Sequence, residues 1–322
     1  MQEIVAGVDI GGTTVRIGMV TQEGRVFSHA CLHTRDYAQP AGLAKAVVEK
    51  IKAVLYDAGA GYVLRGIGIG APNGNFYRGT IEYAPNLAWF GIIPFVELVR
   101  REIDVPCVLS NDANAAAMGE MIFGGARDMS EFLFVTLGTG LCSGIVTNRR
   151  LVYGHDGFAG ELGHVTVMPN GRLCGCGRTG CLETYASAPG LVKTYREIRL
   201  RGNPSLGHRP AMPGGEDEIT AHGIFEKASA GEAEALEAFA FTAEILGAAL
   251  ANAVAFTAPE AIFLFGGLAA SGDLLFPDVK RHMETNLLNV YRNKVSLLPS
   301  GLPENDAALL GAASLIWYKE EP

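Results

Sequence analysis

Glu3–Thr34 of the chain reads EIVAGVDIGGTTVRIGMVTQEGRVFSHACLHT. Three short runs rich in Val and Ile are broken by glycine, at Gly11-Gly12 and again at Gly24. Runs of that kind read as strands joined by tight turns. Working outward, Leu43–Ala58 places Leu43, Val47, Val48, Ile51 and Leu55 on one helical face. LRGIGIGAP then reads as a buried strand ended by Pro72, FVELVRREID as a helix, and VPCVLSND as a further strand. The order β-β-β-α-β-α-β predicts an α/β fold, a mixed sheet with covering helices.

The second half begins in the same way. Phe132–Leu137 (FLFVTL) predicts a strand, Gly138-Thr139-Gly140 turns it, and CSGIVTNRRLVYG returns as its hairpin partner. ITAHGIFEKASAGEAEALEAFAFTAEILGAALANAVAFTAP predicts long helices, followed by the strand AIFLFGG. Two glycine-turn hairpins suggest a duplicated sheet domain. The expected division is a small domain over 1–110, completed by a C-terminal helix over 305–322, and a larger one over 111–304. LRGNPSLGHRPAMPGGEDE (200–218), rich in Gly and Pro, is expected to be a surface loop.

With 322 residues, 48% of them hydrophobic and 19% charged, the chain is predicted to be globular with sizeable cores. A net charge of −8, without a Lys/Arg cluster, argues against a nucleic-acid partner. The N-terminus has an acid where a signal peptide has basic residues. The longest apolar stretch, Phe239–Ala258, contains Glu244 and Asn252, so a buried helix is expected and not a membrane span. Six scattered cysteines do not resemble a secreted disulfide scaffold, and a reducing cytoplasm fits them.

The most specific motif is GHVTVMPNGRLCGCGRTGCLE. His164, Cys174, Cys176 and Cys181 supply one imidazole and three sulfurs within eighteen residues, the set of a closed tetrahedral Zn²⁺ site. With every position taken by protein such a zinc is structural and activates no water. An acid flanks each side, Glu161 in GELGH and Glu183 in CLET.

Asp9, Gly11, Gly12, Thr13 and Thr14 follow a strand, as do Gly138, Thr139 and Gly140. Each reads either as a plain hairpin turn or as a nest of backbone N–H groups for phosphate. Asp9 could face Mg²⁺ through water. Gly266-Gly267 after AIFLF reads as a strand–helix turn or as close approach to a flat ligand such as adenosine. Asn111-Asp112 starts an Ala-rich helix, where Asp112 reads equally as part of an N-cap and as a general base.

DIGGT, NDANAAA, LGTG, GELGH and CGCGRTGCLETYAS, in this order, resemble the ROK family of repressors, open reading frames and sugar kinases. The resemblance spans nearly the whole chain and implies a two-domain actin/hexokinase-like (ribonuclease H-like) fold with mixed sheets and a zinc loop, closing over ATP and a sugar. It implies Asp112 as catalytic base. Asn86, Asn111, Glu161, His164 and Glu183 are then sugar contacts, with His164 also on zinc. Asp9, Gly11, Gly12, Thr13, Thr14, Gly138, Thr139, Gly140, Gly266 and Gly267 would surround ATP and its Mg²⁺. CLETYASA with PNLAW looks closest to the glucokinases, so the expected activity is phosphorylation of glucose at its 6-hydroxyl; fructose, mannose, allose and N-acetylmannosamine are the alternatives. The family's repressors carry a helix-turn-helix ahead of DIGGT, where eight residues precede Asp9 here. The resemblance also implies a homodimer. Departures fall in the nucleotide turns: GGTTVR, GTGLCSG and GLAAS replace more common family residues.

Overall fold

The computed structural model describes residues 1–202 and 219–318, in two compact units. The first comprises Met1–Phe134, Gly144–Gly160 and Ser300–Pro322; the second comprises Val135–Ser143 and Glu161–Pro299. This partition differs from the expected division into 1–110 with 305–322 and 111–304 by keeping 111–134, 144–160 and 300–304 with the first unit.

In the first unit, β1 (Gln2–Ile10), β2 (Thr14–Thr21) and β3 (Val26–His33) form an antiparallel meander. Helix α1 (Pro40–Ala58) leads to β4 (Tyr62–Ala71), which pairs parallel with β1. Three very short strands follow, β5 (Gly74–Asn75), β6 (Thr80–Glu82) and β7 (Ile92–Ile93), forming a small sheet of their own. Then come α2 (Phe95–Arg100), β8 (Cys107–Asn111) and α3 (Asp112–Ile122). The main sheet has the order β3-β2-β1-β4-β8, the mixed arrangement expected. The small sheet was not legible in the sequence, because strands of two or three residues carry no alternation.

The core under this sheet gathers Ile4, Val8, Ile17, Ile67 and Ile69 from the strands with Leu43, Val47, Val48 and Ile51 of α1. Of the face expected on α1, only Leu55 is left partly exposed.

Strands β9 (Phe132–Leu137), β10 (Leu141–Thr147), β11 (Arg150–Leu151), β12 (Ala261–Phe265) and β13 (Ser296–Pro299) form the second sheet, in the order β11-β10-β9-β12-β13. Asn148 and Arg149, both at positive φ (48° and 59°), make the turn between β10 and β11. The helices of the second unit are α4 (Glu183–Ala186), α5 (Ala188–Gly202), α6 (Ala221–Ser229), α7 (Ala233–Thr257) and α8 (Phe276–Asn286). The surface loop expected over 200–218 lies, from 203 on, outside the described residues; residues 200–202 instead continue α5. Helix α7 is long and apolar enough to cross a membrane by length and composition, but half of its most apolar window is buried within the protein. It packs against α5 and α8, as expected of a core helix.

The last helix, α9 (Ala307–Trp317), returns to the first unit and lies on β1, β4 and α3. Glycines permit the close approach. A Cβ at Gly68 would sit 1.8 Å from the Ala312 carbonyl oxygen, and one at Gly7 would sit 2.3 Å from that of Leu309. Gly119 of α3 and Gly311 of α9 likewise leave no room for side chains between the helices.

Candidate active site and metal centre

In the first unit the parallel strands β1, β4 and β8 end side by side, with Ala71 registered on Asn111 and Asp9 on Gly70. The turn after β1 is held by two backbone bonds, Gly11 N–H to Thr14 O (2.9 Å) and Thr34 N–H to Thr13 O (2.9 Å). The Thr34 hydroxyl adds a bond to Gly11 O at 2.7 Å. Thr14 is the first residue of β2, paired with His33. Gly12 is required by its neighbour: a Cβ there would lie 2.6 Å from the Asn86 carbonyl oxygen. The turn and Asn86, distant in sequence, therefore touch.

Asp9 stands opposite Arg16 in the β1–β2 register, with Arg16 Nε 3.4 Å from its carboxylate. Burial is the largest influence on Asp9 and raises its pKa above the usual carboxylate value; Arg16 opposes this, and Asp112 reinforces it. The two acids thus feel each other's charge. Arg16 was not singled out as a site residue, although hairpin register alone pairs it with Asp9.

Asn111 and Asp112 divide the two readings of their motif. Asn111 is the N-cap of α3, its side-chain oxygen accepting from Ala113 N at 2.9 Å. That leaves its amide NH₂ as the group able to donate to a ligand. Asp112 is the first helical residue, and one carboxylate oxygen accepts from the same N–H at 2.8 Å. Its carboxylate is reachable by solvent yet hemmed in by protein. That desolvation raises its pKa, while backbone hydrogen bonds from Ala113 and its own N–H pull the other way.

In the second unit both glycine turns meet. Leu268 N–H bonds to Leu137 O at 3.1 Å, and Gly266, at φ 102°, would bring a Cβ to 2.8 Å from the same oxygen. Gly138 N–H closes on Gly140 O at 3.0 Å, and Gly138 O accepts from Ala188 N at the start of α5. Thr139 lies between them. A Cβ on Gly138 or Gly267 would meet nothing within 4 Å, so space is open beside both. Glu183 reaches this turn too: its carboxylate accepts from Leu141 N at 3.0 Å, and a Cβ at Gly140 would sit 2.7 Å from it.

The metal ligands converge as their spacing predicts. The ligand atoms of His164, Cys174, Cys176 and Cys181 all lie within 4.8 Å of one another. His164 Nδ1 is 3.7 Å from Cys174 Sγ, and the sulfurs of Cys176 and Cys181 are 3.7 Å apart. Sulfurs at tetrahedral corners about 2.3 Å from a zinc ion sit about 3.8 Å apart, so the cluster fits Zn²⁺. The ring uses Nδ1 toward the sulfurs and turns Nε2 toward Glu161, 3.8 Å from its carboxylate. Glu183 lies on the same cluster, one carboxylate oxygen 3.7 Å from Cys174 Sγ. Gly163 lets the 3₁₀ turn Leu162–His164 press on β10, since a Cβ there would fall 1.9 Å from Leu141 O. Among the described residues, Cys31, Cys107 and Cys142 form no disulfide and lie outside this cluster.

A mixed sheet of order β3-β2-β1-β4-β8, a second mixed sheet and a Cys₃His loop define a two-unit α/β protein of the actin/hexokinase-like class. The ROK family model matches residues 5–319, and the chain belongs to the ROK family. It is 35% identical over 315 residues to a glucokinase of Streptomyces coelicolor, covering 97% of each chain. The crystal structure of a ROK family glucokinase from Streptomyces griseus, in complex with glucose and AMPPNP, superposes with a TM-score of 0.77. It is 34% identical and is covered at 97% of this chain and 98% of that one. The xylose repressor of Bacillus spizizenii is 30% identical over 258 residues, 79% of this chain but 62% of the repressor.

Proposed function

We propose that this chain, an ATP-dependent sugar kinase of the ROK family, phosphorylates glucose at its 6-hydroxyl. The observation that carries the reading is the placement of Glu183. It lies at once on the metal cluster beside His164 and on the backbone of the Gly140–Leu141 turn. A set of fixed carboxylates and one imidazole N–H suits a polyhydroxylated ligand, which needs donors and acceptors in set directions. Glu161, His164 and Glu183 hold the sugar hydroxyls, with Asn86 and the Asn111 amide as further contacts. Likeness to glucokinases at both sequence and structure level supports glucose over other hexoses.

Asp112 takes the proton of the 6-hydroxyl as that oxygen attacks the γ-phosphorus of ATP. The bond from the γ-phosphorus to the bridging oxygen breaks and ADP leaves. Phosphoryl transfer asks little else of a protein than alignment and charge neutralisation. Mg²⁺ bound with ATP supplies that neutralisation, and Asp9 is the carboxylate suited to it. The glycine turns at 11–13, 138–140 and 266–267 offer backbone N–H groups to the nucleotide. Zinc, when bound by His164, Cys174, Cys176 and Cys181, fixes the imidazole so that its Nε2–H can donate to the sugar. The same reading places the enzyme in the cytoplasm, as a homodimer whose product feeds glycolysis; light scattering tests the dimer.

A panel of glucose, fructose, mannose, allose, N-acetylglucosamine and N-acetylmannosamine, assayed for ADP release with Mg·ATP, tests the substrate. Glucose is expected to give the highest kcat/KM, and preference for another hexose would overturn that choice. The 30% identity to a xylose repressor motivates a second reading, a sugar-responsive regulator without turnover. Sugar binding without ADP release would favour it.

A further inference from the structure

Arg172 lies inside the metal loop, two residues before Cys174, and is neither a metal ligand nor one of the groups assigned above to sugar or nucleotide. Its guanidinium is nonetheless almost enclosed, with 12% of the side chain exposed. All five of its N–H donors are engaged. Nε and Nη2 form a fork on Glu197 of α5 at 3.0 and 2.6 Å. Nη2 also donates to the Thr194 hydroxyl at 2.9 Å. Nη1 donates to the carbonyls of Thr184 (2.7 Å) and Gly190 (3.3 Å). The guanidinium lies 4.4 Å from the centre of the Tyr185 ring, and the Tyr185 hydroxyl accepts from Arg172 N at 2.8 Å.

Four of these donors anchor Arg172 on α5, and the fifth reaches the short helix α4. Helix α4 has four residues, too few for its carbonyls to find partners inside the helix. Arg172 satisfies that of Thr184 and places a positive charge at a helix C-terminus, where it is favoured. Glu183 is therefore bracketed. On its N-terminal side Cys181 belongs to the metal cluster; on its C-terminal side Thr184 is tied back to the metal loop by Arg172. The turn's own backbone bonds, Leu182 N–H to Val165 O (2.9 Å) and Thr184 N–H to Cys181 O (3.0 Å), hold its N-terminal end beside the cluster; Arg172 ties down its C-terminal end through the Thr184 carbonyl.

We propose that Arg172 is a positioning residue for sugar binding, a clamp independent of the metal that holds Glu183 in register with the His164 imidazole. The assignment rests on the sugar-kinase reading given above. Arg172 touches no substrate. It acts by fixing the backbone that presents the Glu183 carboxylate, with Glu197 as its anchor. Lysine cannot replace it, having three donors on a point charge where arginine has five on a planar fork.

The test compares wild type with Arg172→Met, Arg172→Lys and Glu197→Gln. Four quantities are measured: glucose Kd by calorimetry without nucleotide, kcat and KM, bound zinc per chain, and Tm. For Arg172→Met, zinc content is expected to match wild type and glucose Kd and KM to rise together by about tenfold. kcat should stay within about twofold, the pattern of lost uniform binding. Arg172→Lys should fall between wild type and Arg172→Met, and Glu197→Gln should weaken glucose by about threefold with its zinc intact. A folded, fully metallated Arg172→Met with glucose Kd within about twofold of wild type would overturn the proposal while leaving the kinase reading in place. If Arg172→Met does not fold, Arg172→Lys and Glu197→Gln decide by the same Kd criterion. Zinc loss in step with sugar affinity in all three variants would assign Arg172 to the metal loop's stability and overturn the positioning role. A wild type that neither binds nor phosphorylates any sugar of the panel removes both readings.

Discussion

Asp112 is held between opposing influences, since burial favours its neutral form and the backbone N–H of Ala113 favours its charge. That desolvation is the larger influence, so the carboxylate is a stronger base than a free aspartate. A base works only when deprotonated. The acid limb of the kcat/KM profile should therefore be lost as pH falls through a value above 3.8, the ordinary value for aspartate. A limb governed by an acid of unshifted or lowered pKa would contradict this. Asn111 shows the limit of sequence reading at this scale. Cap and ligand readings of the Asn-Asp pair looked alike as a sequence; in space Asn111 took the cap, and Asp112 remained reachable by solvent. Gly12 is a second residue whose reason is spatial, namely the backbone of Asn86. Gly12→Ala should displace that loop and raise KM for sugar by roughly tenfold with little change in Tm; an unchanged KM would remove Asn86 from the sugar contacts.

At the scale of elements, α3 is placed by its neighbours more than by its own sequence. Glu120, fully buried, accepts from Gly125 N (2.6 Å), Gly301 N (2.8 Å) and the Ser300 hydroxyl (2.5 Å). One carboxylate thus joins the helix that begins at Asp112 to the turn after it and to the chain leading into α9. Glu120→Ala removes the buried acceptor shared by these three donors and should cost about 3 kcal/mol in urea denaturation. A loss below about 1 kcal/mol would mean that water replaces the carboxylate. Packing of α9 on the sheet predicts a similar penalty for Gly68→Ala, about 3 kcal/mol, because the new methyl falls on a helix carbonyl. The long elements were legible because their apolar periods run over enough residues, as in α1 and in β9, whose bounds match the FLFVTL run. The strands over 74–93 and the tie between Glu120 and 300–301 were not, since neither leaves a periodic trace.

For the whole molecule, the family likeness carried in DIGGT, GELGH and CGCGRTGCLE anticipated an α/β fold with mixed sheets, and the Cys and His spacing anticipated the metal cluster. The composition anticipated that α7 would be core. What it could not carry was which glycine turn touches which partner, because such contacts join residues far apart in the chain. Metal removal tests the molecule as a unit. Stripping zinc with a chelator, or Cys176→Ser, should lower metal content and weaken glucose binding together, by roughly ten- to a hundredfold. Unaltered glucose affinity in metal-free protein would end the role given to zinc in orienting His164. The most direct measurement is ADP release from Mg·ATP in the presence of glucose by wild type and Asp112→Asn, with glucose Kd measured for both. The account predicts robust turnover by wild type, and a loss of roughly 10²–10⁴-fold in kcat for the variant with its glucose affinity retained. Turnover by Asp112→Asn near the wild-type rate would contradict it.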